Sequence, residues 1–439
     1  MVVTAAYLTT VAASGCGPSA NNHDTDGSVD AASGGAQGTG GTRGAGSGGA
    51  TAAGGATNSG GTFATGGATS SGGVFGSGGA TASGGARASG GASGTGGSAG
   101  AAGAGSGDAS GVISAGVRWV NRVDLSNPDR PRFSWSGSGF VARFTGTSLS
   151  LQINSSSAFI FKTVVDDVPR AAFTVAGGQQ TVTLATGLAA GMHTVALYRQ
   201  TEGSQGDSQF LALTVGGGAL TTPPPPPPRL LEIVGDSISA GYGNLGALGD
   251  TDCYPTESHW DTYGAVAARA LQAEVNTIAV SGQGAYRDYD GVTTNPAATT
   301  YTRALTNDAT PPWTFGAQPQ AVIVNLGTND ISNNKGDPST PFRTAYTNLL
   351  QLIRSKRPAA RIICIVGPLL SGTELSTISG HIRAAVAARV SAGDANVEFF
   401  EQIAAQTSDK AACQYHPNVA ENQLMADLLV AQLKLRLGW

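Results

Sequence analysis

Gly-Gly pairs begin at residues 48, 54, 60, 66, 72, 78, 84, 90 and 96, a strict six-residue period in which the string GGAT recurs. A hexapeptide period is compatible with a left-handed β-helix, but that coil needs an aliphatic residue in each turn to fill its axis. Here those positions hold Ala, Thr, Ser and Gly, and residues 31–110 offer only Phe63, Val74 and Phe75 as large apolar side chains. Ordering such a segment would cost conformational entropy with no buried surface to offset it. It reads as a flexible spacer, a coil of roughly 50 Å root-mean-square reach at about 5–6 Å times the square root of its length. The spacer takes nearly half of the 65 glycines. What remains is about 330 residues, the size of one small and one medium domain.

A formal net charge of −4 and a pI near 5.7 leave no basic stripe to offset phosphates, so no nucleic-acid partner is expected. No apolar run is long enough to span a bilayer. The opening MVVTAAYLTTVAASGC is a short apolar stretch closing on small residues before Cys16. It looks like a bacterial lipoprotein signal, residues 1–16, whose cysteine is acylated after cleavage. Export is therefore expected, as a cell-surface lipoprotein or a secreted protein, with residues 17–111 as the tether and no partner chain required beyond a monomer. The four cysteines fit an oxidising compartment. Cys364, inside RIICIVGP, reads as a buried strand thiol. Cys253 and Cys413 fall in loops, and a bridge between them is an expectation that spacing alone leaves open.

Residues 112–222 alternate apolar and polar side chains in runs such as FVARFTGTSLSLQIN and FIFKTVVDDVPRAAFTV, rich in Val, Thr and Phe. That pattern predicts an antiparallel all-β domain, a sandwich or jelly roll. Pro223–Pro228 form a stiff polyproline boundary. Residues 229–439 then alternate nearly continuous apolar strands (LLEIVG, VNTIAVSG, AVIVNLG, RIICIVGP, NVEFFEQ) with amphipathic helices such as DTYGAVAARALQAE and FRTAYTNLLQLIRSK. This is the signature of an α/β fold, a doubly wound parallel sheet covered on both faces. Ligands of such sheets sit at the carboxyl ends of the strands.

Four motifs fall at those ends. The first strand runs into Gly235-Asp236-Ser237, a tight strand-to-helix turn that presents a hydroxyl outward and leaves an amide free, as a nucleophile requires. Serine is also a common helix N-cap, and the turn alone does not decide between the two. The second strand ends in Ser281-Gly282-Gln283-Gly284, where a glycine lets backbone approach a ligand, or merely makes the turn. The third ends in Gly327-Thr328-Asn329-Asp330, whose amide side chain suits a developing negative charge and equally suits a turn. The last is Tyr415-His416-Pro417-Asn418, ahead of the final helix. Of the five histidines, His416 sits at a junction facing the same rim as Ser237; His259, opening a helix after a loop, is an outside candidate.

At these residues the chain resembles a known family. The blocks VGDSISAGYGN, SGQG, GTND and HPN are similar to those of the SGNH (GDSL) serine hydrolases. The pairing of a β domain with a C-terminal domain of this kind, together with SGQGAYRDYDG, the cysteine at 253 and C-x-x-HPN, resembles carbohydrate esterase family 2 most closely. The resemblance implies Ser237 as nucleophile and His416 as general base and acid. It implies an oxyanion hole made of the Ser237 and Gly282 amides and the Asn329 side chain, with Tyr415 a candidate substrate contact. It also implies removal of acetyl groups from plant cell-wall polysaccharides such as xylan and glucomannan, without metal or cofactor. One departure stands out. Relatives often carry an Asp two or three residues before the histidine, where this chain has Gln414 and Cys413. A backbone carbonyl is the simplest substitute, and it fixes the ring tautomer without supplying charge. Two other readings stay open: a general esterase or lipase acting on other esters, and a carbohydrate-binding surface protein with an impaired catalytic site.

Overall fold

The structure, a computed structural model, describes residues 113–401 and 408–439. The expected signal, Cys16 and the Gly-rich tether lie outside the described residues, as does Gln402 at the end of the last expected strand. Among the described residues no helix is long and apolar enough to cross a membrane.

The N-terminal part is two antiparallel sheets. One runs Ile113–Ser114, Val117–Val120, Gly139–Gly146, Gly191–Arg199, Phe159–Val165, Val168–Pro169, with Ala219–Thr221 and Phe173–Val175 paired at its flanks. The other runs Arg132–Phe133, Ser208–Gly216, Ser148–Ser155, Gly178–Ala185. Strand alternation explains the packing: Phe159, Phe161, Thr163 and Val165 are buried while the residues between them are not. Trp119, Phe140 and Phe210 meet nearly edge-on between the sheets at 5.4–5.8 Å, the arrangement ring quadrupoles favour.

From Arg229 the chain builds a five-stranded parallel sheet in the spatial order Ala273–Ala279, Arg229–Gly235, Ala321–Asn325, Arg361–Ile365, Val397–Phe399. Every residue of Ala321–Asn325 is buried, because helices cover both faces. Tyr263–Ala270 and Val419–Leu437 pack against Ile233, Ile323 and Ile363 on one side. Ser339–Lys356 and Gly372–Ser391 pack against Val322, Val324 and Ile362 on the other. Strand order reverses between Arg229–Gly235 and Ala321–Asn325. The crevice outside that reversal is where a sheet of this kind binds ligands.

One sequence expectation is corrected. The helix read from DTYGAVAARALQAE stops at Ala270, because Gln272 turns left-handed (φ 52°) and Ala273–Glu274 join the next strand. Glu274 is held there by Arg118 of the β domain at 2.5 Å, a tertiary contact that local periodicity does not carry. The polyproline segment also contacts the β domain. Its Pro224 carbonyl accepts from Arg118 Nε at 3.2 Å. The domains are fused by further buried contacts. Arg122 donates to the carbonyls of Tyr301 and Arg303 and lies within 5.1–5.9 Å of four aromatic rings. Trp135 Nε1 donates to Ala304, and Asn121 Nδ2 to Thr277.

Under the parallel sheet, Glu232 and Arg357 form an ion pair at 2.5 Å with both side chains fully excluded from solvent. Tyr301 Oη adds a hydrogen bond to the same carboxylate. Removing one partner strands a buried charge. Arg357→Met is therefore expected to lower the unfolding free energy by about 3–5 kcal/mol in urea titrations, and a loss under ~1 kcal/mol would contradict this account of the pair.

Candidate active site

Asp236, not Ser237, caps the short helix Ser237–Ala240: its Oδ1 accepts from the Ile238 amide at 3.1 Å. The Ser237 hydroxyl is thereby left for another partner. It meets His416 Nε2 at 2.8 Å, across 179 residues of sequence. The other ring nitrogen, Nδ1, donates to the Cys413 carbonyl at 3.2 Å. Among the described residues no carboxylate is hydrogen-bonded to this ring. Burial pushes His416 down to about 4, with the carbonyls of Cys413 and Gln414 working against the fall.

The loop that carries the histidine is sharply wound. Gln414 and Tyr415 both sit in the left-handed region, at φ 48° and 64°, and Pro417 bridges back to Ala411. The Gln414 side chain donates to the Thr251 carbonyl at 3.0 Å, so it serves the neighbouring loop instead of the imidazole. Cys413 is joined to Cys253 in a disulfide, with Cα atoms 5.6 Å apart. Gly243 makes room for it: a Cβ there would stand 2.7 Å from the Cβ atoms of both cysteines. The Tyr242 ring stands edge-on to His416 at 5.0 Å and to Tyr254 at 5.0 Å. Tyr415 itself projects outward, 67% exposed, at the rim.

Two further strand ends reach the same rim. Gly282, after Ala273–Ala279, adopts φ 78°, a conformation glycine takes without strain, and its carbonyl accepts from Tyr289 at 2.8 Å. Asn329, after Ala321–Asn325, donates from Nδ2 to the Gln283 carbonyl at 3.0 Å and to Asp236 Oδ2 at 3.3 Å. One partner adjoins Gly282 in sequence and the other adjoins Ser237, so Asn329 ties the two turns together. Neither the Ser237 nor the Gly282 amide donates to a protein acceptor among the described residues. The site thus pairs the Ser237 hydroxyl with an imidazole nitrogen, next to turns whose Ser237 and Gly282 amides have no protein acceptor among the described residues.

Sequence reading missed several supporting groups. Asp330 accepts from the amides of Ala285, Tyr286 and Arg287 at 2.8–2.9 Å, folding the loop after Gly282 into place. Asp236 is buried, and burial pushes it up to about 7, against the pull of the Ile238 amide and helped by Asp330. The D of GDS and the D of GTND were the available signals, though nothing in either string says which backbone amides they bind. His259 is placed elsewhere: it is buried, bonded to Thr277 Oγ1 at 2.9 Å and pushed down by burial to about 3. Among the described residues, no group of three or more His, Cys, Asp or Glu is arranged to hold a metal ion.

Comparison with known proteins agrees with both halves of the fold. Residues 119–225 match the family described as Carbohydrate esterase 2 N-terminal, and residues 233–424 match the GDSL-like Lipase/Acylhydrolase family. The solved structure of a family two carbohydrate esterase from Clostridium thermocellum, in complex with cellohexaose, superposes with a TM-score of 0.70 at 37% identity. That match covers 74% of this chain and 99% of the solved one. The cellulase/esterase CelE of Acetivibrio thermocellus is 38% identical over 74% of this chain, which spans only 40% of that relative's length. An acetylxylan esterase / glucomannan deacetylase of Cellvibrio japonicus is 26% identical over 74% of this chain and 91% of its own.

The disulfide closes a loop of 160 residues and anchors the histidine turn. Its replacement by Cys253→Ser with Cys413→Ser is expected to cost about 2–4 kcal/mol of unfolding free energy, measured by urea denaturation under non-reducing conditions. Equal stability of the two proteins would show that the bridge does not constrain the fold.

Proposed function

The chain belongs to the family 2 carbohydrate esterases, and we propose that it removes O-acetyl groups from plant cell-wall polysaccharides such as xylan and glucomannan through an acyl-enzyme on Ser237. The observation that supports the reading is the 2.8 Å contact between Ser237 Oγ and His416 Nε2, made at the strand-order reversal, with Asn329 tying the Ser237 and Gly282 turns together. Ser237 Oγ attacks the acetyl carbonyl while His416 Nε2 takes its proton. The oxyanion is received by the Ser237 and Gly282 amides and by Asn329 Nδ2, whose longer 3.3 Å contact to Asp236 is the one that gives way. The imidazolium returns the proton to the sugar oxygen as the C–O bond breaks. Water then attacks the acetyl-serine with His416 again as base, releasing acetate and restoring the hydroxyl. Tyr415, exposed on the rim, is positioned to meet the polysaccharide.

Burial makes the His416 ring a weak base, and the carbonyl dipoles that face its cation offset this only in part, with no carboxylate to add to them. A weak base remains neutral to lower pH. On this reading kcat/KM holds from neutrality down toward pH 4 and is lost below it, with an apparent pKa near 4 in place of the ordinary value of about 6.5. An acid limb centred above pH 6 would contradict it.

Export is part of the same proposal. The Cys253–Cys413 disulfide supports folding in an oxidising compartment, and an acylated Cys16 followed by the Gly-rich spacer would tether the enzyme at the cell surface. The function itself is tested by assaying Ser237→Ala on acetylated xylan and glucomannan and on an activated acetate ester. Loss of at least about a thousandfold in kcat, with an unchanged unfolding midpoint, is expected; retention of a tenth of the activity would overturn the reading.

A further inference from the structure

The loop that ends the β domain's strand Gly191–Arg199 reaches into the catalytic domain and stops at the oxyanion loop. Its Glu202 is fully buried, and Glu202 Oε2 accepts from the Ser281 amide at 2.7 Å. Ser281 immediately precedes Gly282. The Glu202 backbone is itself fixed on both sides: its amide donates to Glu257 Oε1 at 3.0 Å and its carbonyl accepts from Arg199 Nη2 at 3.1 Å. Neighbouring residues tie the same loop down. The Gln200 carbonyl and side chain accept from the amides of His259 and Trp260, and the Gly203 carbonyl accepts from Asn307 Nδ2.

Gly282 needs such a hold. With no Cβ and φ 78°, it has several backbone wells of similar energy, and only one directs its amide into the oxyanion site. On its far side the loop is gripped by Tyr289 at the Gly282 carbonyl, by Asn329 at Gln283 and by Asp330 at 285–287. On its near side, between the end of the strand at Ala279 and Gly282, the side chain that grips it is Glu202. We infer that Glu202 is a positioning residue of the esterase site, through which the β domain sets the direction of the Gly282 amide. The inference rests on the esterase reading above and adds to it a catalytic role for the β domain. That domain does more than flank the cleft. It supplies one of the fixed points from which the oxyanion hole is built.

The hold is a matter of reach, so two conservative variants separate it from a role in charge. Glu202→Gln keeps an acceptor oxygen at the same distance and gives up the charge. Glu202→Asp keeps the charge and withdraws the oxygen by one methylene. Kinetics on an activated acetate ester, with binding of a methylboronic acid as the probe of oxyanion stabilisation, are expected to leave Glu202→Gln within about threefold of the parent. Glu202→Asp is expected to lose about a hundredfold in kcat with KM little changed and to bind the boronic acid correspondingly more weakly, the size of effect a misplacement of ~1 Å produces. If Glu202→Asp does not fold, Ser281→Pro, which removes the donor and leaves the acid, carries the same expectation. Parent-like kcat in the Asp or Pro variant, or a loss confined to Glu202→Gln, would overturn the inference. Ser237→Ala in the same assay separates the two levels: an active Ser237→Ala sinks the esterase reading, whereas an inactive one beside a fully active Glu202→Asp sinks this inference alone.

Discussion

The His416 imidazole is held by the carbonyl of Cys413, three residues away in its own loop, and much of the surrounding architecture answers to that one bond. A carboxylate partner would orient the ring and stabilise its cation from a distance, and the loop could be loose. A carbonyl partner orients the ring only if the loop is stiff, and it supplies no charge in either case. Stiffness comes from the left-handed pair Gln414–Tyr415, from the disulfide to Cys253, from the gap that Gly243 leaves for it, and from the Tyr242 ring against the imidazole. What the arrangement gives up is basicity: burial goes uncompensated by charge, and the ring falls to about 4.

The same logic of fixed backbone runs through the rest of the site. Asp236 takes over the helix cap and so frees Ser237; Asp330 collects three amides of the loop after Gly282; Glu202 takes a fourth from the other side. Three carboxylates are used to hold N–H groups, and none touches the base. The β domain is inseparable from this scheme. Arg122 wedged among aromatic rings and Arg118 paired with Glu274 lock the domains into one body, which gives Glu202 a rigid platform. The parallel sheet sets the positions of the strand ends, and the packed β domain fixes one of the loops that follow them.

The fold class was legible because it is written in local periodicities, two for the β domain and buried apolar runs with amphipathic helices for the sheet. Ser237, Gly282 and Asn329 stood out as candidates because glycine punctuates each strand-end turn, and His416 because a proline follows it ahead of the final helix. What escaped notice has one character: it depends on contacts between distant segments. The stop after Ala270 is set by Gln272, a residue with no turn signature, and by Arg118 reaching across from the other domain. Ser237 could have been the helix cap by its residue type, and only the geometry assigns that work to Asp236. Glu202 lies in an ordinary loop between strands, and nothing in the string RQTEGSQG marks it as a neighbour of Ser281.

The central claim is that Ser237, activated by a histidine with no acidic partner, is the group that takes the acyl chain. Intact-protein mass spectrometry after treatment with an activated methylphosphonate ester, followed by peptide mapping, tests it directly. The account predicts a single covalent adduct, on Ser237, whose formation slows sharply in His416→Ala. An adduct on another residue, or an unmodified Ser237 in protein that still hydrolyses an activated acetate, would contradict it.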